Sequence, residues 1–308
     1  MSKLTIQVSP HIFDKTTTQR IMLDVIIALL PTAVASVVLF GARAAVVIAV
    51  CVISCVLSEF IFERICKKQN TISDLSAVVT GILLAFNLPA DIPIWQSVFG
   101  SAAAIIIVKQ LFGGIGKNFA NPAITARIIM LISFTGTMSQ YVIPDFADAV
   151  SGATPLAVLT GTSSGELPSI AHMLLGIRGG SLGETCAVTL VSGGIYLLIR
   201  KVISWHTPVA FIGTVFIFTL ILGENAVYHV LSGGLLLGAF FMATDYATTP
   251  YTKAGKLIFG VGCGLITVLI RVWGSYPEGV SFSILMMNIL TPYINKITAA
   301  KPLGGVKA

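Results

Sequence analysis

Asp148-Ala-Val-Ser-Gly-Ala-Thr154 is the stretch of this chain best suited to chemistry. It sets an acidic anchor, Asp148, ahead of a small-residue turn through Ser151, Gly152 and Ala153, and ends on the secondary alcohol of Thr154. A threonine hydroxyl is a poor nucleophile unless a base deprotonates it. None of the four histidines (His11, His172, His206, His229) stands near it in the sequence. A self-contained hydrolase built on Ser151 or Thr154 is therefore disfavoured. Modification by a second enzyme fits better, because Gly152 and Ala153 add no bulk that would bar a hydroxyl held out from the loop from a foreign active site. The plain alternative is an ordinary Asp/Ser/Gly turn in which Asp148 bonds its own backbone.

A second group of candidates lies inside apolar runs: Asp24, Glu59, Arg127, Glu184 and Asp245. Ionisable groups at the centre of a bilayer cost at least about 2.5–3.5 kcal/mol and usually face the interior of a helix bundle. Glu59, near a helix end, is expected to snorkel to the interface. Asp245 is the favoured functional acid, since Ala243-Thr-Asp-Tyr-Ala-Thr-Thr-Pro250 gathers carboxylate and hydroxyl oxygens where a helix breaks. Oxygen-rich breaks of this kind suit Na⁺. Asp245, Thr244, Asn121 and Glu184 are the candidate ion site, against the simpler readings of a satisfied helix end and, for Glu184, a carboxylate at a helix N-terminus. Gly113-Gly-Ile-Gly116 and Gly179-Gly-Ser-Leu-Gly183 match neither full nucleotide-loop pattern and read as tight turns or close helix contacts. Cys51 and Cys55 share a helix face, but buried apolar thiols explain them as well as a metal or redox pair.

The elements that hold these residues are set by composition. Hydrophobic residues make up 55% of the chain and charged residues 10%, with a mean hydropathy of +0.92. Soluble domains average about 25% charged residues, so this is an all-α integral membrane protein. Apolar segments predict helices near 21–41, 44–63, 76–88, 94–113, 122–142, 184–200, 205–223, 228–244, 256–272 and 279–295. The third and eighth are interrupted, at Asn87-Leu-Pro89 and Met242-Ala-Thr-Asp245. With a cytoplasmic N-terminus, fourteen Lys and Arg fall in inside loops, against Arg43, Arg178 and Arg271 outside. That bias is the positive-inside pattern. It puts both termini in the cytoplasm and the loop carrying Thr154 on the far side. The net charge of +6 then reports loop topology, not nucleic acid. Trp95, Trp205 and Trp273 sit near predicted helix ends, as interfacial anchors do. The first twenty residues show no signal-peptide pattern.

Five predicted helices precede the loop and five follow it, so homologous halves would enter from opposite sides. Gly81-Ile-Leu-Leu-Ala85 and Gly234-Leu-Leu-Leu-Gly238 echo one another at the interrupted segment of each half. The expected organisation is a cytoplasmic segment 1–20, a five-helix repeat 21–142, an extracytoplasmic loop 143–183, an inverted five-helix repeat 184–295 and a cytoplasmic tail 296–308. Inverted repeats with broken helices meeting near the midplane are a transporter-like plan.

Asp148-x-x-Ser151-Gly-Ala-Thr154 also resembles the recognition motif of the flavin transferase that esterifies FMN through its phosphate to threonine. Phe112-Gly-Gly-Ile-Gly, Asn118-Phe-Ala-Asn-Pro122, Gly179-Gly-Ser-Leu-Gly-Glu-Thr185, Phe240-Phe-Met-Ala-Thr-Asp245 and Tyr276-Pro-Glu-Gly279 extend the likeness over about residues 10 to 300. Together they resemble the family that contains the D subunit of the Rnf electron-transport complex and the B subunit of the sodium-pumping NADH:quinone reductase. The short polar segment before Ile21 favours the Rnf branch. The resemblance implies membership of a bacterial inner-membrane complex that moves electrons between ferredoxin and NAD⁺ and translocates Na⁺ or H⁺. It implies FMN on Thr154, and by some relatives a noncovalent riboflavin, for which Asp245, Thr244, Asn121 and Glu184 are again the candidates. Partners would be the other members of the Rnf complex, the flavin transferase and lipid, with ferredoxin and NAD⁺ met through those other members. From another class, a stand-alone small-solute channel or transporter would share the architecture but has no use for a flavinylated hydroxyl.

Overall fold

Thr17 caps the first helix by accepting the amide proton of Arg20, and Gly41, at φ +72°, ends it. The computed structural model describes residues 16–144, 150, 151, 154–161, 166–274 and 278–299. In the first half, α1 is Thr18–Phe40, α2 Ala42–Ile65 and α3 Ser76–Phe86. Then α4 is Ile94–Ala102, continued with π geometry through Ala103–Gln110, and α5 is Pro122–Ser133. In the second half, α6 is Ala187–Ile199, α7 His206–Ile221 and α8 Ala226–Leu231. The short α9, Leu235–Leu237, runs into π geometry over Gly238–Met242. Helices α10, Lys253–Trp273, and α11, Val280–Thr298, complete it.

The architecture is helical, with, among the described residues, one two-residue antiparallel pairing that sets Val142 opposite Ser151 and Ile143 opposite Val150. Helices α1, α2 and α10 are long and apolar enough to cross a membrane, and five shorter apolar helices accompany them. Leu30, Val34 and Val38 of α1 and Ile53, Leu57 and Ile61 of α2 point outward, while Thr32, Ser36 and Glu59 on the same helices are buried. Polar-in and apolar-out is the pattern expected of helices in lipid.

Two segments depart from the sequence expectation. The fifth stops at Ser133 instead of 142, giving way to a one-turn helix, Thr135–Met138. The eighth breaks after Leu231 at Gly233 and Gly234, both near φ +65°, a conformation that glycine adopts without strain. That break turns the chain inward and sets α9 among the buried residues.

Each half of the chain has one helix that packs against those that follow it. Helix α2 lies against α3 and α4, as α7 lies against α8, α10 and the π segment that follows α9. The halves meet through α1 against α6 and through α5 against α11. At the first seam a Cβ on Gly193 would run into the Ala28 carbonyl, and Ser36 donates to the Leu182 carbonyl at 2.6 Å. Only a glycine lets these backbones approach so closely.

Candidate functional site

Thr154 is the N-cap of a short helix, Pro155–Leu159, and its hydroxyl accepts the Ala157 amide proton at 3.2 Å. The residue is buried, 7% exposed. The expectation of a hydroxyl held out from the loop is therefore corrected. Thr followed by Pro is a favoured N-cap and first-turn pair, and the backbone claims the side chain locally. Asp148, Gly152 and Ala153 lie outside the described residues. Ser151 sits in the β pairing that ties the motif to the segment after α5. Leu156, 1% exposed, anchors the short helix beside Gly233.

Around this helix lies a cluster of buried charge. Arg127, on α5, pairs with Glu278 and donates to Asn87 Oδ1 at 3.1 Å and Ser281 Oγ at 3.0 Å. Tyr141 donates to the other Glu278 oxygen at 2.8 Å. Ser181 donates to the Glu184 carboxylate at 2.7 Å, and Arg178 donates to the Glu184 carbonyl at 2.6 Å. Burial pushes the Arg178 guanidinium below its ordinary pKa, and the Glu184 charge works the other way. Arg178 and Arg271 read as exposed loop charges in the sequence, yet they are 3% and 1% exposed. The place of Arg271 at the end of an apolar run was the one hint of this.

A separate cavity of about 110 Å³ lies where the halves meet. Met22 and Val25 of α1, Thr80 and Leu83 of α3, and Phe240 and Phe241 of the π segment after α9 give its walls. Asn118, Asn121, Lys109, Thr244 and Asp245 give its polar groups. It shares Val202, Ile203, Thr244 and Tyr246 with an adjoining cavity of about 630 Å³. Asn121 caps α5 by accepting from the amides of Ala123 and Ile124, and its own amide donates to the Met242 carbonyl at 3.4 Å. Asp245 is half-buried and accepts from the Thr248 hydroxyl at 3.1 Å. Thr244 turns its hydroxyl back to the Phe240 carbonyl at 2.7 Å. Three of the four residues grouped in the sequence thus meet here. Glu184 does not line this cavity; it belongs to the charge cluster beside Thr154.

Lys109 was not singled out in the sequence. Its ammonium bonds Glu59 and Ser76, both at 2.6 Å, and Gln110 adds a bond to Glu59 at 2.7 Å. Glu59 is fully buried, so it does not snorkel: a lysine from the π segment that follows α4 meets it inside the bundle. Asp24 pairs with Arg200 at 3.1 Å across the seam between α1 and α6. Cys51 and Cys55 are buried. Among the described residues, no group of three His, Cys, Asp or Glu is placed to hold a metal ion.

The sequence pattern of the NQR2, RnfD, RnfE family matches residues 5–304, and the chain belongs to that family. It is 47% identical over 306 residues to the D subunit of the Na(+)-translocating ferredoxin:NAD(+) oxidoreductase complex of Acetobacterium woodii, covering 99% of this chain and 96% of that one. The D subunit of the proton-translocating ferredoxin:NAD(+) oxidoreductase complex of Clostridium ljungdahlii is 42% identical over 317 residues, covering 97% and 96%. The D subunit of the ion-translocating oxidoreductase complex of Stutzerimonas stutzeri is 35% identical over 333 residues, covering 94% and 93%.

Proposed function

We propose that this chain is the electron-carrying membrane component of an ion-translocating ferredoxin:NAD⁺ oxidoreductase complex, with FMN joined through its phosphate to Thr154. The observation that carries the reading is the Asp148-to-Thr154 motif, standing between two similarly packed helical halves and beside buried arginines. Near full-length similarity to the D subunits of such complexes supports it. The named relatives move different ions, so similarity to them selects the complex without selecting Na⁺ or H⁺.

A bound flavin exchanges one or two electrons and so can connect centres of unlike electron count. The chain's own residues place it. Thr154 provides the ester oxygen, the short helix fixes that oxygen to Gly233 through Leu156, and the surrounding arginines supply positive charge. Asp148, Ser151, Gly152 and Ala153 serve recognition by the flavin transferase. The mid-bundle cavity suits a second, noncovalent flavin such as riboflavin in chemistry: apolar walls for a flat ring, with Asn121, Thr244 and Asp245 as polar partners. Its own volume is below the roughly 300 Å³ of ordinary ligand pockets, so the ring would also use the adjoining space. Asp245 is equally the group we assign to cation handling there.

The halves form an inverted repeat of ten membrane segments, five on each side of the loop, with cytoplasmic termini and the flavin loop outside. The paired packing and the positive-inside bias support this. Ferredoxin and NAD⁺ are handled by other members of the complex.

The test is expression with and without the flavin transferase, followed by in-gel fluorescence after denaturation. A fluorescent band is expected from the native chain and none from Thr154→Ala. A native chain that stays dark with the transferase present would remove the flavin assignment.

A further inference from the structure

Among the described residues, the charge cluster beside Thr154 carries more arginine than carboxylate. Arg127 is matched by Glu278, whereas among the described residues Glu184 is the acid nearest in effect to both Arg178 and Arg271. Among the described residues, neither arginine has a carboxylate at ion-pair distance. Arg271 spends its terminal nitrogens on the carbonyls of His229, Ser232 and Gly233, at 2.5, 2.9 and 3.3 Å, and its Nε has no partner among the described residues. Arg178 donates to the Ser232 hydroxyl at 3.4 Å, so both cations grip the same turn. A buried charge without its opposite is strongly unfavourable. An excess of this kind among the described residues would be offset by an anion brought to the site.

The position says which anion. A Cβ on Gly233 would stand 2.5 Å from Arg271 Nη2 and 3.1 Å from the Leu156 side chain. Leu156 is two residues past Thr154, so Arg271 and the helix that Thr154 opens approach the same glycine. We propose that Arg271, backed by Arg178, is the counter-charge for the singly negative phosphodiester formed when a flavin phosphate is esterified to Thr154. This rests on the flavin reading above. Arg271 is a positioning residue: it holds the phosphate end and with it the ring.

The experiment is hydrogen–deuterium exchange on the purified complex, comparing the flavinylated chain with Thr154→Ala, in native and Arg271→Gln backgrounds. In the native background, flavinylation is expected to slow exchange several-fold in the peptide spanning 226–234, whose carbonyls Arg271 holds. In Arg271→Gln the band should still fluoresce, while that protection is lost. Arg271→Lys should keep part of it. Equal protection in Arg271→Gln would place the counter-charge elsewhere and overturn the proposal. A native chain without fluorescence would instead defeat the flavin reading itself. Should Arg271→Gln fail to assemble, Glu184→Gln decides: it leaves more positive charge unmatched, so protection should increase, and unchanged protection overturns the proposal.

Discussion

The side-chain amide of Asn121, at the start of α5, donates to the main-chain carbonyl of Met242, where the broken segment of the opposite half ends. Asn87, which closes α3, reaches the sulfur of the same Met242 at 3.7 Å. The interrupted helices of the two halves are therefore joined to each other, beside the cavity that holds Asp245.

Asp245 faces this junction, and it is the acid most directly open to test. Asp245→Asn is expected to abolish sodium stimulation of turnover in a complex that responds to sodium. Steady-state rates against Na⁺ concentration measure it, and an unchanged response would clear Asp245 of any role in cation handling.

Arg127 and Glu278 form a buried pair between α5 and the start of α11. Removing one partner leaves the other unmatched, which costs about 3–5 kcal/mol. Arg127→Ala should therefore lower the yield of assembled complex sharply. A double Arg127→Met, Glu278→Leu replacement should recover much of it. If the double variant is no better than the single, the pair serves more than stability.

Close backbone approach sets the third expectation. A Cβ on Gly81 would stand 2.7 Å from the Val52 Cα, within the contact between α3 and α2. Overpacking of this kind costs about 1–3 kcal/mol. Gly81→Ala should lower the thermal midpoint of the complex, whereas Gly213→Ala, with open space around it, should leave it alone.

Topology can be read with a residue the chain already carries. Cys66 is exposed, just past α2, while the other four cysteines are buried. A membrane-impermeant maleimide should label this chain in inverted vesicles and leave it unlabelled in intact cells. Labelling from outside would reverse the orientation.

The helices were largely legible in the sequence, since long apolar runs permit little else in lipid. The ends were less so. The fifth helix stops early because Phe134, at φ −131°, leaves helical geometry, and nothing in the flanking apolar residues announces it. Charge was the hardest feature to read. Arg178 and Arg271 satisfied a loop count while being buried, and Glu59 looked like a surface acid because its partner, Lys109, lies 50 residues on. Pairings at that separation have no local signature. The motif itself was plain, but not the fate of its hydroxyl, which the first turn of its own helix takes up.

That small turn has a bearing on how the protein matures. With Thr154 bonded inward, a modifying enzyme would meet the reactive oxygen only in those moments when the turn has come undone. Attachment would then keep pace with local breathing of the loop, and any neighbour that clamps the loop before the cofactor arrives would leave the protein permanently bare.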